Sequence, residues 1–120
     1  MRAHPEVEFD LWFPPFSTVY YTLARTHSPA VFEGMLACKR HILEQVQPLP
    51  NVRLSDFQGD LAVSTHLDHY FDSVHFDATI YRLIVDSLAG GSYRATPESM
   101  AATEALLRRE CTPERVEQLP

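Results

Sequence analysis

Positive charge is scarce in this sequence and scattered along it. Ten of the 120 residues are basic, only one of them a lysine, and the formal net charge is −6 at pH 7. The arginines form no cluster, so the basic surface that nucleic-acid binding requires is absent. Nucleic acid is therefore excluded as a partner.

Cysteine and long apolar runs are also scarce. Cys38 and Cys111 form no Cys-x-x-Cys pair, which excludes a zinc ribbon and a thioredoxin-like motif. We expect two free thiols, with Cys38 on the inner face of a helix. No stretch approaches the roughly 18 apolar residues of a membrane helix, and residues 1–8 show no export signal. The compartment stays open, and the cell envelope is compatible with a longer parent protein.

The composition that remains is that of a soluble globular segment of one domain or less, with 45% hydrophobic and 22% charged residues. Its first part predicts a strand, because apolar and polar residues alternate from Val7 to Phe13. Pro14-Pro15 end that strand, and Ser17 is placed to cap a short helix over residues 18–25.

A second helix and a second strand follow. Ser28-Pro29 predicts a helix start, and the apolar pattern continues to Val46. Residues 52–57 alternate again as a strand. Strand, crossover helix and strand form a βαβ unit, so we predict the α/β class with parallel strands. The predicted apolar stripe of the helix comprises Val31, Phe32, Met35, Leu36, Cys38, Ile42, Leu43 and Val46, with Lys39 on the polar side.

Two more helices are predicted in the last third of the chain. Asp77 caps the first, which runs from Ala78 to about Ala89 and ends at Gly90-Gly91. Thr96-Pro97 opens the second, which ends near residue 110. We expect this last helix to be more polar and peripheral, followed by a tail with little to bury.

The residues with the clearest chemical potential are Asp72 and His75. They follow the second predicted strand, and reactive groups of open α/β sheets lie beyond the carboxyl ends of the strands. At this spacing the carboxylate can orient the imidazole and stabilise its protonated form. The pair is a candidate for acid–base work.

Three segments, in this order, carry a family resemblance: the strand end Phe13-Pro14-Pro15-Phe16, the strand 51–57, and the block Tyr70-Phe71-Asp72-Ser73-Val74-His75-Phe76 before a helix. The combination resembles the C-terminal part of bacterial SGNH-type (GDSL-like) serine hydrolases and related acyltransferases. The resemblance covers roughly residues 5–95. It implies that residues 1–95 are part of a doubly wound, flavodoxin-like α/β/α domain, with 96–120 as a peripheral helix and tail.

The resemblance also implies a reaction. His75 would activate a serine and Asp72 would orient His75, without metal or cofactor, on a small ester or an acylated carbohydrate or lipid. The family's Gly-Asp-Ser block and the Gly and Asn blocks of its oxyanion hole are unmatched. Gly59-Asp60-Leu61 lacks a serine and Gly91-Ser92 follows a helix, so both are interpreted as loop and cap residues. We expect the chain alone to be inactive.

The strand count also departs from the family. A doubly wound domain needs about five strands, whereas two are predicted here, in a sheet with both edges open. We therefore expect Met1 to lie inside a longer domain, and the open edges to favour association with another chain.

Other interpretations remain for the same residues. His66, His69, Asp72 and His75 recur at intervals of three, a spacing of metal-binding side chains. On a helix each step turns about 60° backwards, so His66 and His75 could not share an ion. A loop could still gather three of them; otherwise Asp68 and His69 are solvated neighbours.

Two further alternatives concern aromatic residues and the absence of catalysis. Phe13, Phe16, Tyr20 and Tyr21 could line an acyl pocket, although such aromatics more often form core. An aspartate near a helix start often serves as a cap, and a histidine in an aromatic loop often packs. The second functional hypothesis is thus a noncatalytic α/β remnant or interaction module.

Overall fold

In the computed structural model, which describes residues 1–119, a two-stranded parallel sheet is surrounded by helices. This confirms the α/β class. The elements in chain order are β1 (Phe9–Phe13), α1 (Thr18–His27), α2 (Pro29–Val46), β2 (Val52–Asp56), α3 (Leu61–Ser64), a 3-10 turn (Leu67–His69), α4 (Ala78–Gly90), α5 (Pro97–Glu110) and α6 (Pro113–Val116). No helix of residues 1–119 combines the length and apolar character needed to cross a membrane.

The sheet is built as the βαβ pattern predicts. β1 and β2 pair in parallel from Phe9 opposite Val52 to Phe13 opposite Asp56, with α1 and α2 in the connection. β1 is shorter than predicted because Val7 and Glu8 are exposed and lie outside the ladder. It stops before Pro14-Pro15, as expected from prolines that cannot donate to a ladder.

The outer edge of β2 is covered, so the prediction of two open edges is wrong for this strand. Ser55 forms an antiparallel bridge with Arg94. The Ala95 N–H donates to the Leu54 carbonyl at 2.8 Å, and the Asp56 N–H donates to the Tyr93 carbonyl at 2.8 Å. Within residues 1–119 the outer edge of β1 has no partner strand. The sheet therefore has one open edge.

Helix α2 has the predicted bounds, and its buried face consists of part of the predicted apolar set together with Lys39. Its buried side chains are Phe32, Leu36, Lys39, Leu43 and Val46. Cys38 is exposed, so its predicted inner position is wrong, while both thiols are free as expected. Because α2 carries more apolar residues than one stripe holds, the tertiary partners select the stripe. The selected stripe brings Lys39 to the end of β2.

The C-terminal helices complete the core. Asp77 caps α4 and Gly91 ends it with a φ of 70°, both as predicted. Helix α5 is polar on its outer side but is not peripheral, since Met100 and Leu107 are buried in core clusters with residues of α1, α2 and β2. The prediction of a peripheral last helix is wrong for these two side chains.

Candidate functional site

Residues 69–77 form a short antiparallel ribbon that carries the predicted site. Tyr70 lies opposite Phe76. The Phe71 N–H donates to the His75 carbonyl at 2.8 Å, and the Asp77 N–H donates to the His69 carbonyl at 2.9 Å. Since side chains alternate along a strand, Tyr70 and Phe76 share the inner face, while residues 69, 71, 75 and 77 share the outer one. Asp72, Ser73 and Val74 form the tip.

The exit of β1 holds this ribbon from two sides. The Tyr70 hydroxyl donates to the Pro15 carbonyl at 2.6 Å. The Ser73 carbonyl accepts from the Ser17 hydroxyl at 2.9 Å and from the Ser17 N–H at 3.1 Å. Ser17 also caps α1, as predicted. The ribbon tip therefore lies at the carboxyl end of β1.

Asp72 and His75 meet at the tip, as expected from their spacing. One Asp72 oxygen accepts from the Val74 and His75 backbone N–H groups, each at 2.8 Å, and the other lies 2.6 Å from His75 Nδ1. The His75 N–H, then the Val74 N–H, then the imidazole lower the pKa of Asp72 to about 2. An ionised carboxylate only accepts, so Nδ1 carries the hydrogen and Nε2 of the neutral ring is an acceptor.

The pair is open to reactants, with side-chain exposures of 74% for His75 and 55% for Asp72. Within residues 1–119, no serine hydroxyl is hydrogen-bonded to His75. Ser17 is buried, and its hydroxyl donates to the Ser73 carbonyl instead. The site therefore holds an oriented imidazole without a serine hydroxyl hydrogen-bonded to it.

A second histidine–carboxylate pair lies on the same outer face. His69 Nδ1 is 3.0 Å from an Asp77 oxygen, and the His66 ring stacks on His69 with centroids 6.3 Å apart. His69 is therefore not the solvated neighbour that was expected, whereas Asp68 is exposed. The alternation of side chains around Tyr70 and Phe76 places residues 69 and 77 on one face, and this was the sequence signal for their contact.

The predicted metal-binding pattern is divided between these two pairs. His66 and His69 lie together with Asp77, while Asp72 and His75 form their own contact. In the described part of the chain, no group of three or more histidine, cysteine or acidic side chains is arranged to hold a metal ion.

The aromatic residues after β1 pack as core. Tyr21 is buried, and Phe16 and Tyr20 lie against it with ring centroids at 6.3 Å and 5.6 Å. Phe13 lies under the Lys39 ammonium, 5.1 Å from its ring centroid. These four residues therefore pack in or against the hydrophobic core and do not line an acyl pocket.

The end of β2 carries a buried ion pair that the sequence interpretation missed. Lys39 Nζ lies 2.8 Å from Asp56, with side-chain exposures of 6% and 3%. Asp56 also accepts from the Gln58 N–H at 3.1 Å. Burial lowers the pKa of Lys39, and the Asp56 carboxylate opposes that shift. The spacing Phe32, Leu36, Lys39 places this lysine on the apolar face and could have identified it.

The two short glycine segments are structural. Asp60 caps α3 and Gly91 ends α4, as their interpretation as loop and cap residues predicts.

Comparisons with protein-family models, with curated proteins and with solved structures find no match to this chain.

Proposed function

We propose that Asp72 and His75 are the acid–base half of the active site of an SGNH-like ester hydrolase or O-acyltransferase. The observation that carries this proposal is the 2.6 Å contact between Asp72 and His75 Nδ1, in a turn that leaves the His75 side chain 74% exposed. The nucleophilic serine would come from outside residues 1–119, either from the same polypeptide or from a partner.

The proposed chemistry uses His75 twice. Nε2 takes the proton of the serine hydroxyl as the serine oxygen attacks the ester carbonyl, and Asp72 stabilises the imidazolium. The protonated ring then gives its proton to the leaving alkoxide, which leaves an acyl-serine. Water or a sugar hydroxyl then attacks this acyl-serine while Nε2 takes its proton. The bond between the acyl carbon and the serine oxygen breaks, and the imidazolium returns the proton to that oxygen. The substrates are small esters or acylated carbohydrates and lipids.

Three features support this assignment. The low pKa of Asp72, about 2, keeps the orienting group ionised at neutral pH. The tip lies at the carboxyl end of a parallel strand, where α/β proteins place reactive groups. Tyr70 and Ser17 attach it to the exit of β1, which fixes its position relative to the sheet.

The test uses the protein with an affinity tag after Pro120, expressed from its own locus with the native upstream DNA. An alkyl fluorophosphonate, which labels activated serines, is added before purification. We expect labelling of the tagged polypeptide or of a co-purified one. His75→Ala should abolish labelling, and Asp72→Asn should reduce it by a factor of about 10⁴, the loss seen when the aspartate of a serine–histidine–aspartate triad is neutralised.

The matched control is His69→Ala, which removes the other carboxylate-paired histidine of the same ribbon. Labelling should survive this change. The proposal fails if His75→Ala leaves labelling intact, or if no polypeptide that purifies with the tag is labelled although the protein is folded.

A second candidate function, an interaction module, is favoured by the open edge of β1. Phe9 and Phe13 direct their backbone groups to β2, so those of Asp10 and Trp12 face outwards. Unpaired edges of this kind accept further strands. Concentration-dependent association in light scattering, weakened by Trp12→Pro, would support this function; a monomer at all concentrations would contradict it.

A further inference from the structure

The most exposed large apolar side chain of residues 1–119 stands beside the proposed base. Phe71 is 80% exposed and directly precedes Asp72. Its ring contacts no other aromatic ring among the described residues, whereas the rings of Tyr70 and Phe76 on either side of the tip pack edge to face at 6.1 Å. A single exposed apolar side chain is ordinary on a protein surface. The position of Phe71, beside Asp72 and opposite His75, is what makes it a candidate for substrate contact.

The ribbon fixes the side on which the ring lies. Because the Phe71 N–H donates to the His75 carbonyl, these two residues are directly opposite each other. Opposite residues of an antiparallel pair project to the same face, with Cα atoms about 5.5 Å apart when hydrogen-bonded. Phe71 and His75 therefore both project from the outer face.

The ring cannot exchange places with its neighbours. A shift by one residue would turn Phe71 inwards, but it would remove Tyr70 from the Pro15 carbonyl and Ser73 from Ser17. The hydrogen bonds at the exit of β1 thus hold an apolar ring outwards, on the face from which His75 also projects, before any substrate arrives.

We infer that Phe71 binds the apolar acyl chain of the ester on which His75 acts. The inference rests on the proposed function and deepens it: the substrate carries a medium or long acyl chain rather than an acetyl group. Every methylene that leaves water against the ring adds to binding. An acetyl group is too short to gain from this contact.

The test compares two esters with the tagged protein from its own locus. kcat/KM is measured for p-nitrophenyl acetate and for p-nitrophenyl decanoate below its micelle concentration. We expect Phe71→Ala to lower the decanoate-to-acetate ratio about tenfold. Phe71→Leu should retain most of the ratio. Val31→Ala, which changes an exposed apolar residue on α2, should leave it intact.

The possible failures are distinguishable. If His75→Ala abolishes both reactions and Phe71→Ala leaves the ratio unchanged, the inference is wrong and the proposed function stands. If His75→Ala changes neither reaction, the proposed function is wrong and the inference falls with it.

A binding measurement on the 120-residue chain is independent of catalysis. Saturation-transfer NMR should show transfer from the chain to the methylenes of decanoate. This transfer should be lost in Phe71→Ala and kept in Val31→Ala. Transfer that persists in Phe71→Ala would overturn the assignment of the acyl contact.

Discussion

Two pairs, each of one basic and one acidic side chain, have similar contact distances in this protein but lie in opposite surroundings. Lys39 and Asp56 meet at 2.8 Å inside the core, and Asp72 and His75 meet at 2.6 Å on the surface. Removing one partner of a buried pair leaves an uncompensated charge, whereas an exposed pair adds little to stability. The same contact distance therefore goes with different contributions to stability, and burial decides how large each contribution is.

Lys39→Met should have the largest effect on folding. It leaves the Asp56 carboxylate buried without its cation, which we expect to cost about 3–5 kcal/mol of unfolding free energy. Urea unfolding followed by circular dichroism measures this loss. Lys39→Met combined with Asp56→Asn should recover part of it, because the amide oxygen still accepts from the Gln58 N–H. A single variant as stable as the original would show that the buried pair is dispensable.

Tyr70→Phe tests the attachment of the ribbon to the exit of β1. It removes the donor to the buried Pro15 carbonyl, which should cost about 1–2 kcal/mol. Burial raises the pKa of Tyr70, so the hydroxyl remains a donor through the neutral range. Tyr20→Phe is the matched control, because that hydroxyl meets only the Met35 sulfur at 3.8 Å. Equal losses of unfolding free energy in both variants would contradict the anchoring role.

His75→Ala should leave the stability nearly unchanged. The imidazole is exposed and its partner keeps two backbone N–H groups. Thermal melting curves of His75→Ala and the original protein should coincide within replicate scatter, while fluorophosphonate labelling is lost. A destabilisation as large as that of Lys39→Met would place His75 with the structural pair.

The acid titration of Asp72 tests the turn at the ribbon tip. Its folded-state pKa of about 2 lies below the ordinary value of 3.8. The stabilisation it provides is thus present above the unfolded pKa and is lost as the pH falls through about 2. The amide proton shifts of Val74 and His75 should follow this titration and should not follow it in Asp72→Asn. A midpoint near 3.8 would show that the turn contributes nothing.

The features that could be predicted from the sequence are local. Ser28-Pro29, Asp77 and Thr96-Pro97 mark the helix starts with side chains and prolines within one turn. The meeting of Asp72 with His75 is also local, because it spans three residues. The function of the pair stays a prediction.

The features that were missed depend on contacts between separate elements of the fold. Lys39 is buried because it forms an ion pair with Asp56. The outer edge of β2 is covered because Arg94 forms a bridge with Ser55. His69 finds Asp77 only once the ribbon has closed. Alternation and helical spacing indicate the face on which a residue lies, but tertiary packing decides which partner it contacts there.

The attachment of the ribbon to the exit of β1 has a consequence for the order of folding. The bonds from Ser17 to Ser73 and from Tyr70 to Pro15 span 56 and 55 residues. Closing such long loops costs entropy that only a formed sheet and its helices offset. The turn around Asp72 can form early, but it reaches its place beside the sheet late. A nascent chain therefore carries His75 before the sheet can hold its imidazole in place.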